Sequence, residues 1–231
     1  MIFHQPALFE KFGIPGYFGE KIPKNYVEKL KDLLYFPRQS HSNRVIIVEN
    51  LCEYQSGDGD GVISVEGRTS VGIQTADCVP ILIADKGGNL FSAVHAGWRG
   101  TLKGILFNAL QEILALGFCP EEILICIGPH IQVSCYEVKE DTLVHLMDPL
   151  RGEPYVKNLG SSLHLNLSAL NLHQAELCGI PKENIWVSPE CTHCKPERYH
   201  SYRREKNYLY TQISLIGPCE IEDITKRLQN L

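Results

Sequence analysis

The chain has 231 residues, of which 44% are hydrophobic and 21% are charged, so it carries enough apolar material for a packed core and is not a disordered protein. Its net charge of −5 excludes the basic surface excess that drives binding to polyanions, and we expect no nucleic acid among its partners. No run approaches the roughly 18 consecutive apolar residues of a membrane helix, and residues 1–12 lack the cationic and apolar regions of a signal peptide. We therefore expect a cytoplasmic protein with no membrane segment.

Nine cysteines are scattered along the chain, an odd number that does not fit a small disulfide framework. In a reducing compartment they stay thiols, which can bind a metal or react. No repeat or low-complexity stretch is present, and the turn-rich segment 56–61 is only as long as a loop. We expect a single domain over residues 1–231, and we favour a monomer.

The first part of the chain predicts mostly strands. A short helix is expected over residues 26–34 and a strand over residues 44–48. Four short β-rich runs follow at close spacing, each bounded by Gly, Asp or Pro, and together they predict the strands of one sheet. These runs cover residues 62–65, 71–75, 80–84 and 90–95.

After these runs the pattern becomes helical. Apolar residues between Leu102 and Leu114 recur at helical spacing behind Thr101, which is a candidate N-cap, and Gly117 ends the run. Strand-like and helical patterns then follow each other, so the class is mixed α and β. The expected strands cover residues 123–127 and 185–188, and the expected helices cover residues 139–146, 167–177 and 221–228.

The densest chemical signal lies in two segments, QTADCVP at 74–80 and VHAGWRGT at 94–101. Both lie at the ends of predicted strands, where a rigid scaffold can hold side chains toward a pocket. We therefore expect Cys78 and His95 to meet there. The helix that follows presents unpaired N–H groups to an anion, and Arg99 strengthens the preference for phosphate.

His41 is a candidate third ligand, because it lies in QSHSNR at 39–44, just before a predicted strand. Two imidazoles and one thiolate suit zinc, and three protein ligands leave a fourth position for water or substrate, as in catalytic zinc sites. The separations in sequence match no short metal motif. Spacing alone therefore leaves open the alternative of a core cysteine with two hydrogen-bonded histidines.

Five ordered motifs between His41 and Arg204 resemble the signatures of the YfiH-like family, also known as laccase-domain or purine nucleoside phosphorylase proteins. The resemblance implies an α+β fold, a four-layer α/β/β/α sandwich, with zinc bound by His41, Cys78 and His95. The motifs are DGVIS at 60–64, QTADCVP at 74–80, HAGWRGT at 95–101, IGPHI at 127–131 with CYEV at 135–138, and HSYRR at 200–204.

The resemblance implies a zinc-dependent purine nucleoside phosphorylase that cleaves adenosine, inosine or methylthioadenosine with phosphate and also deaminates adenosine. Other descriptions of the family are copper-dependent laccase or polyphenol oxidase, and peptidoglycan editing. The chain departs from the family pattern at two places, since it lacks the Thr-x-Arg stretch, with its arginine, near the N-terminus and the Thr-Gly-Arg segment near the C-terminus. The expected catalytic residues are Asp77, Cys78, His95 and Arg203, with Asp77 moving protons, and the expected substrate or phosphate contacts are Gln74, Arg99, Arg204, His130 and Cys135.

Three alternatives stay open. Cys191 and Cys194 form a single Cys-x-x-Cys pair, with His200 nearby, and this segment is either a loop with free thiols or a small metal or redox site. Cys78 could instead be a nucleophile with His95 as its base, as in a cysteine hydrolase, or the protein could be a metal-holding or cell-wall factor without turnover. A copper oxidase is disfavoured, since one Cys and two His fall short of a multi-copper ligand set.

Overall fold

The computed structural model describes residues 2–48, 57–146 and 150–229. The helices are α1 (Ala7–Phe12), α2 (Trp98–Leu102), α3 (Ile105–Ala115), α4 (Glu140–Leu143), α5 (Leu167–Leu177), α6 (Tyr202–Glu205) and α7 (Ile221–Gln229). The strands are β1 (Phe3–His4), β2 (Gly16–Pro23), β3 (Val45–Val48), β4 (Gly61–Val65), β5 (Val71–Thr75), β6 (Val79–Asp85), β7 (Leu90–Ala96), β8 (Ile123–Ile127), β9 (Glu137–Val138), β10 (Val156–Leu159), β11 (Ser162–Leu165), β12 (Ile185–Val187) and β13 (Tyr210–Ile216).

A six-stranded mixed sheet forms the centre of the fold, in the order β12-β8-β6-β7-β4-β3. Strands β6 and β7 are antiparallel neighbours and are buried along their whole length. Because successive side chains point to opposite faces, Ile81 and Ile83 pack with α3 and α5, whereas Leu82 and Ala84 pack with the second sheet. This sheet therefore has an apolar layer on each face.

The second sheet has four strands in the order β1-β2-β13-β5. One face shares a core with the six-stranded sheet through residues such as Ile73. The other face contributes Ile213 and Leu215 to a third core, with Leu34 and the helix α7. A small third sheet has the order β10-β11-β9. The predicted mixed α and β class is confirmed, and these three cores support the four-layer stacking, which stays a prediction.

The prediction that the four close-spaced runs form one sheet is wrong. Residues 71–75 form β5, which pairs with β13 near the C-terminus rather than with β4 or β6. Its partner lies about 140 residues away in sequence, and strands β2 and β13 were themselves not predicted. Local alternation indicates a strand but carries no information on which strand will pair with it.

The predicted helix behind Thr101 is two helices, because Gly104 adopts a left-handed conformation with φ of 79° between them. Thr101 lies inside α2 and is therefore not the N-cap. The helix expected at 139–146 shrinks to α4, and that expected at 26–34 is a 3-10 helix over Lys24–Leu30. The strand at 123–127 and the helices at 167–177 and 221–228 are confirmed to within one residue. No helix in the described part of the chain is both long enough and apolar enough to span a bilayer.

Candidate metal centre and its cleft

Three side chains from distant parts of the sequence converge at one edge of the six-stranded sheet. Cys78 immediately precedes β6 and His95 is the penultimate residue of β7, and since Pro80 pairs with His95, both lie at the same edge. His41 comes from the loop before β3. The candidate ligand atoms of the three lie within 4.8 Å of one another, with 3.9 Å between His41 Nε2 and Cys78 Sγ. The two imidazole rings face each other edge-on, their centroids 4.8 Å apart.

A fully buried carboxylate, Asp60, orients this cluster. His95 Nδ1 lies 2.7 Å from Asp60 Oδ1, so Nε2 is the nitrogen left to face Cys78. The same carboxylate accepts hydrogen bonds from the backbone N–H of His41 at 2.9 Å and of Ser42 at 2.6 Å. His41 has a left-handed backbone, with φ of 58°. Asp60 therefore orients one candidate ligand through its ring and another through its backbone, and a carboxylate is a usual partner of a metal-binding histidine.

The electrostatics favour a charged thiolate in the metal-free protein. Burial acts to raise the pKa of Cys78, but His95 and His41 outweigh it and lower that pKa to about 6. Burial acts to lower the pKa of His95, but Cys78 and Asp60 raise it to about 9. For Asp60 burial again opposes the charge, and hydrogen bonds from His95 and Ser42 hold its pKa well below the usual range. The thiolate is the form that binds metals.

The surroundings of the cluster fit a metal ion. A Cβ atom at Gly97 would lie 2.8 Å from His41 Cδ2 and 3.0 Å from Cys78 Sγ, so only glycine leaves room for these ligands. The side chain of Gln39 exchanges two hydrogen bonds with the backbone of Gln74, of 2.7 and 2.8 Å, which fastens the His41 loop to β5. Two nitrogens and one sulfur form a ligand set that zinc accepts with a fourth position open.

The cluster opens into a cleft of about 1040 Å³, as large as the biggest typical small-molecule sites. Its walls combine cationic and aromatic side chains. Tyr202 and Tyr208 stack with their centroids 4.6 Å apart, and the Arg203 guanidinium lies 5.0 Å from the Tyr136 ring. The cationic residues of the lining are Lys24, Lys31, Arg38, Arg99, Lys139, Arg203 and Lys206.

Four further predicted site residues line this cleft: Gln74, Asp77, Arg99 and Arg203. Asp77, however, has a carboxylate already engaged. It accepts hydrogen bonds from the hydroxyls of Thr192 at 2.7 Å and Ser201 at 2.9 Å, and from the backbone N–H of Arg203 at 2.7 Å. These contacts join Asp77 to the segment that carries Arg203, and they argue against the predicted proton-transfer role.

Three predicted substrate contacts lie outside the cleft lining. Arg204 donates to the carbonyls of Thr192, His193 and Tyr199, which braces a loop, and its predicted contact with phosphate stays a prediction. His130 is buried, and its Nδ1 lies 2.8 Å from the Gly128 carbonyl oxygen.

Cys135 is the third predicted substrate contact that lies outside the cleft lining. Its Sγ lies 3.3 Å from Cys194 Sγ, and it forms a cluster with Cys191 and Cys194. His200, considered with the Cys-x-x-Cys pair, instead contacts Glu205 and the Asn207 carbonyl.

Sequence reasoning missed Asp60 and the tyrosines of the cleft. Asp60 begins the DGVIS motif, and a carboxylate just before a buried strand that neighbours the His95 strand was a usable signal. Tyr202 lies in the HSYRR motif, but nothing in the sequence indicates that it stacks on Tyr208, because the stacking depends on the turn after α6, where Lys206 is left-handed with φ of 55°.

Comparisons with known proteins show what the whole chain is similar to. The model of the family described as "Multi-copper polyphenol oxidoreductase laccase" matches residues 24–218. The protein named adenosine deaminase RL5, from an unknown prokaryotic organism, is 30% identical over 188 residues, which are 75% of this chain and 70% of that protein. The purine nucleoside phosphorylase of Aquifex aeolicus is 33% identical over 178 residues, which are 76% of this chain and 79% of that protein.

Solved structures of other proteins show a similar fold. YlmD from Geobacillus stearothermophilus superposes with a TM-score of 0.73 and 25% identity, covering 85% of this chain and 77% of its own. The Bacillus licheniformis hypothetical protein YfiH superposes with a TM-score of 0.76 over 93% of this chain and 98% of its own; at 23% identity this match speaks for the fold alone.

Proposed function

Since this chain belongs to the multi-copper polyphenol oxidoreductase laccase family, we propose that it is a zinc-dependent purine nucleoside phosphorylase. Its substrates are adenosine, inosine or S-methyl-5′-thioadenosine, and it also deaminates adenosine. The observation that carries the proposal is the convergence of His41, Cys78 and His95 at the base of a cationic and aromatic cleft. The names of the relatives, purine nucleoside phosphorylase and adenosine deaminase, support the substrate class.

The zinc ligands in this proposal are His41 Nε2, Cys78 Sγ and His95 Nε2. When bound, zinc supplies a Lewis acid that polarises a ligand oxygen and lowers the pKa of coordinated water. Asp60 holds His95 in the tautomer with a proton on Nδ1, which leaves the lone pair of Nε2 for the metal. We prefer zinc to copper because the described residues bring together one cluster with two imidazoles and one cluster of thiols, too few ligands for a multi-copper centre.

In this proposal two arginines of the lining bind the phosphate. Arg99 is exposed and packs on Trp98, its guanidinium carbon 4.5 Å from the ring centroid. One guanidinium nitrogen of Arg203 donates to the Glu137 carbonyl at 2.8 Å, and the backbone N–H of Arg203 donates to the Asp77 carboxylate. Its remaining N–H groups can form charge-assisted bonds to an anion. Asp77 is a positioning residue in this scheme, because it acts through Arg203.

The nucleoside base needs an apolar face in the same cleft. Tyr202 and Tyr208 form a stacked, exposed pair at its wall, and Tyr136 lies beneath Arg203. A purine can stack on such a surface, which contributes about 1–3 kcal/mol per base in nucleic-acid complexes. Cations for phosphate and aromatics for the base therefore occur in one cavity, as phosphorolysis of a nucleoside requires.

The test is product analysis with protein of known metal content. We expect zinc-loaded protein to release free purine from inosine only when phosphate is present, and to convert adenosine into inosine as well as adenine. Cys78→Ser should abolish both, and Cys119→Ser, which changes an exposed thiol outside the cleft lining, should retain them. Absence of any product from adenosine, inosine and methylthioadenosine would refute the proposal.

A cysteine hydrolase is the second candidate, because Cys78, His95 and Asp60 stand in the order nucleophile, base and orienting carboxylate. The second imidazole, His41, at 3.9 Å from the sulfur, favours the metal site, since a nucleophile needs one base only. Iodoacetamide separates the two. Zinc should protect Cys78 from alkylation if it is a ligand, whereas a nucleophile would be alkylated and inactivated at the same rate with or without added zinc.

A further inference from the structure

A second cluster of metal-capable groups lies outside the cleft lining. Cys135, Cys191 and Cys194 place their sulfur atoms within 4.8 Å of one another, although Cys135 and Cys194 are 59 residues apart in sequence. The three thiols are free. From this convergence we propose that Cys135, Cys191 and Cys194 bind a second zinc ion through three thiolates, with a fourth, external ligand on the solvent side, where Cys194 is exposed.

The sulfur separations fit a shared ion better than a disulfide. A tetrahedral zinc with Zn–S bonds of about 2.3 Å holds its sulfurs about 3.8 Å apart. A disulfide needs about 2.05 Å. The 3.3 Å between Cys135 and Cys194 is nearer to the zinc value than to a disulfide, and all three sulfurs lie within 4.8 Å of one another. Small side-chain rotations would bring all three sulfurs to the zinc value.

The backbone already holds the two cysteine-bearing segments together. Cys191 forms a parallel β-bridge with His130, and the N–H of Thr192 donates to the His130 carbonyl at 3.1 Å. The backbone N–H of Gln132 donates to Cys191 Sγ at 3.4 Å. An N–H group directed at a sulfur stabilises a thiolate, and such hydrogen bonds are the usual surroundings of a metal-bound cysteine. Two of the ligands are thus fixed relative to each other before any ion binds.

The cationic side chains next to the cluster are already paired. Lys195 lies 2.6 Å from the Glu190 carboxylate, and Arg204 pairs with Glu205 and donates to the His193 carbonyl. Three adjacent thiolates need a positive charge at the site to stay together. The set is all sulfur, which selects a soft, thiolate-preferring ion such as zinc rather than magnesium or calcium.

Such an ion would brace one wall of the cleft without taking part in the chemistry. Thr192, between the two cysteines of the Cys-x-x-Cys pair, donates its hydroxyl to Asp77, the neighbour of Cys78. Tyr136, the neighbour of Cys135, lines the cleft. The second site therefore connects to the cleft wall at two points, Asp77 and Tyr136, and its role would be structural.

The experiment counts zinc. Wild-type protein, purified with zinc and a phosphine reductant and then desalted, should contain two zinc ions per chain by inductively coupled plasma mass spectrometry. Cys135→Ser and Cys194→Ser should each contain one, and the matched control Cys119→Ser should keep two. His41→Ala should also contain one, having lost the ion of the other site. The two proposals therefore fail separately, since each variant reports on one site.

A thiol-protection measurement keeps the test decisive if a variant unfolds. In folded wild-type protein, zinc should protect Cys135, Cys191 and Cys194 together from alkylation, and a chelator should expose all three, as read by peptide mass spectrometry. Co²⁺ should give charge-transfer bands that are weakened in Cys194→Ser and retained in His41→Ala. Equal zinc content in wild type and Cys194→Ser, alkylation unaffected by zinc, or a disulfide between Cys135 and Cys194 in the zinc-loaded protein would overturn the proposal.

Discussion

The two sulfur-containing clusters in the described part of the chain each offer three candidate metal ligands, in different surroundings. The first joins two imidazoles to Cys78, and a buried carboxylate, Asp60, orients it. It opens into a cleft of about 1040 Å³. The second has three thiols on loops, with backbone N–H groups as its outer partners and no place in the cleft lining.

The difference shows what makes a metal site suited to chemistry. Neutral imidazoles leave positive charge on the ion, and an open position lets substrate reach it, whereas three thiolates neutralise the charge. The first cluster also has Gly97, which leaves room beside His41 and Cys78. We therefore expect changes at the first cluster to affect turnover and changes at the second to affect stability.

The largest effect should come from Cys78→Ala. Losing a ligand removes the ion and its transition-state stabilisation, which is several kcal/mol, so kcat/KM on inosine with phosphate should fall about a thousandfold or more. Steady-state kinetics with zinc content measured on the same sample checks this. Cys119→Ala serves as the control. A variant without zinc that retains wild-type turnover would contradict a catalytic role for the metal at the first cluster.

The thiolate of the first cluster can be tested in metal-free protein. With a pKa of about 6 instead of the ordinary 9.0, Cys78 carries about a hundredfold more thiolate at pH 7. Since lowering the pKa favours the charged form, its alkylation rate should rise from pH 5, pass its midpoint near pH 6 and level off before pH 8. Mass spectrometry of the labelled peptide gives the profile. A midpoint near pH 9 would show that His41 and His95 do not stabilise the charge.

Asp60→Asn should weaken metal binding at the first cluster by about 10- to 100-fold, the usual cost of losing the orienting partner of a ligand. The amide cannot accept the hydrogen bonds from His95, His41 and Ser42 in the same way. Competition with a zinc chelator measures the affinity. Asp58→Asn is the matched control, because Asp58 is a surface partner of Arg38 and should leave affinity unchanged.

Gly97→Ala tests the space around the ligands. Its Cβ would meet the His41 ring at 2.8 Å and the Cys78 sulfur at 3.0 Å, and overpacking of this kind costs about 1–3 kcal/mol. We expect zinc affinity to fall about tenfold, with the fold intact by circular dichroism. Gly152→Ala, with nothing within 4 Å of its Cβ, is the control. Unchanged affinity in Gly97→Ala would remove the steric argument for this site.

The smallest effect on turnover should follow Cys194→Ser at the second cluster. We expect kcat to change less than about threefold, while Tm falls by several degrees, since each kcal/mol shifts Tm by about 2–4 °C in a chain of this size. Thermal melts with and without a chelator give the comparison. In the variant the chelator should cost less stability than in wild type. A loss of turnover as large as that of Cys78→Ala would show that the second cluster is also needed for catalysis.

Local patterns predicted much of the fold. Strands β6 and β7 and helix α5 follow from apolar runs bounded by turn residues or set at helical spacing. The break at Gly104 was hidden, because the apolar spacing continues through it although its φ is 79°. The pairing of β5 with β13 was also hidden, because long-range pairing depends on burial and not on sequence distance.

The site was predicted less evenly. The ends of predicted strands indicated that Cys78 and His95 would meet, with His41 as a candidate third ligand. Because their spacing matches no local metal motif, the three-ligand set rested on the family resemblance, and the structure brings the three residues together. Asp60 opens the DGVIS motif, but its role was not predicted, and only the folded chain shows its carboxylate 2.7 Å from His95 Nδ1. Cys135 was expected at the substrate, and only the folded loops show that it faces Cys194.

The most direct test of the first cluster is a crystal structure of zinc-loaded protein with anomalous data collected on both sides of the zinc absorption edge. We predict an anomalous peak about 2.0–2.1 Å from a nitrogen of His41 and of His95 and about 2.3 Å from Cys78 Sγ, with a fourth position facing the cleft. Zinc-loaded crystals with no peak there, or with either imidazole turned away from the Cys78 sulfur, would contradict this prediction.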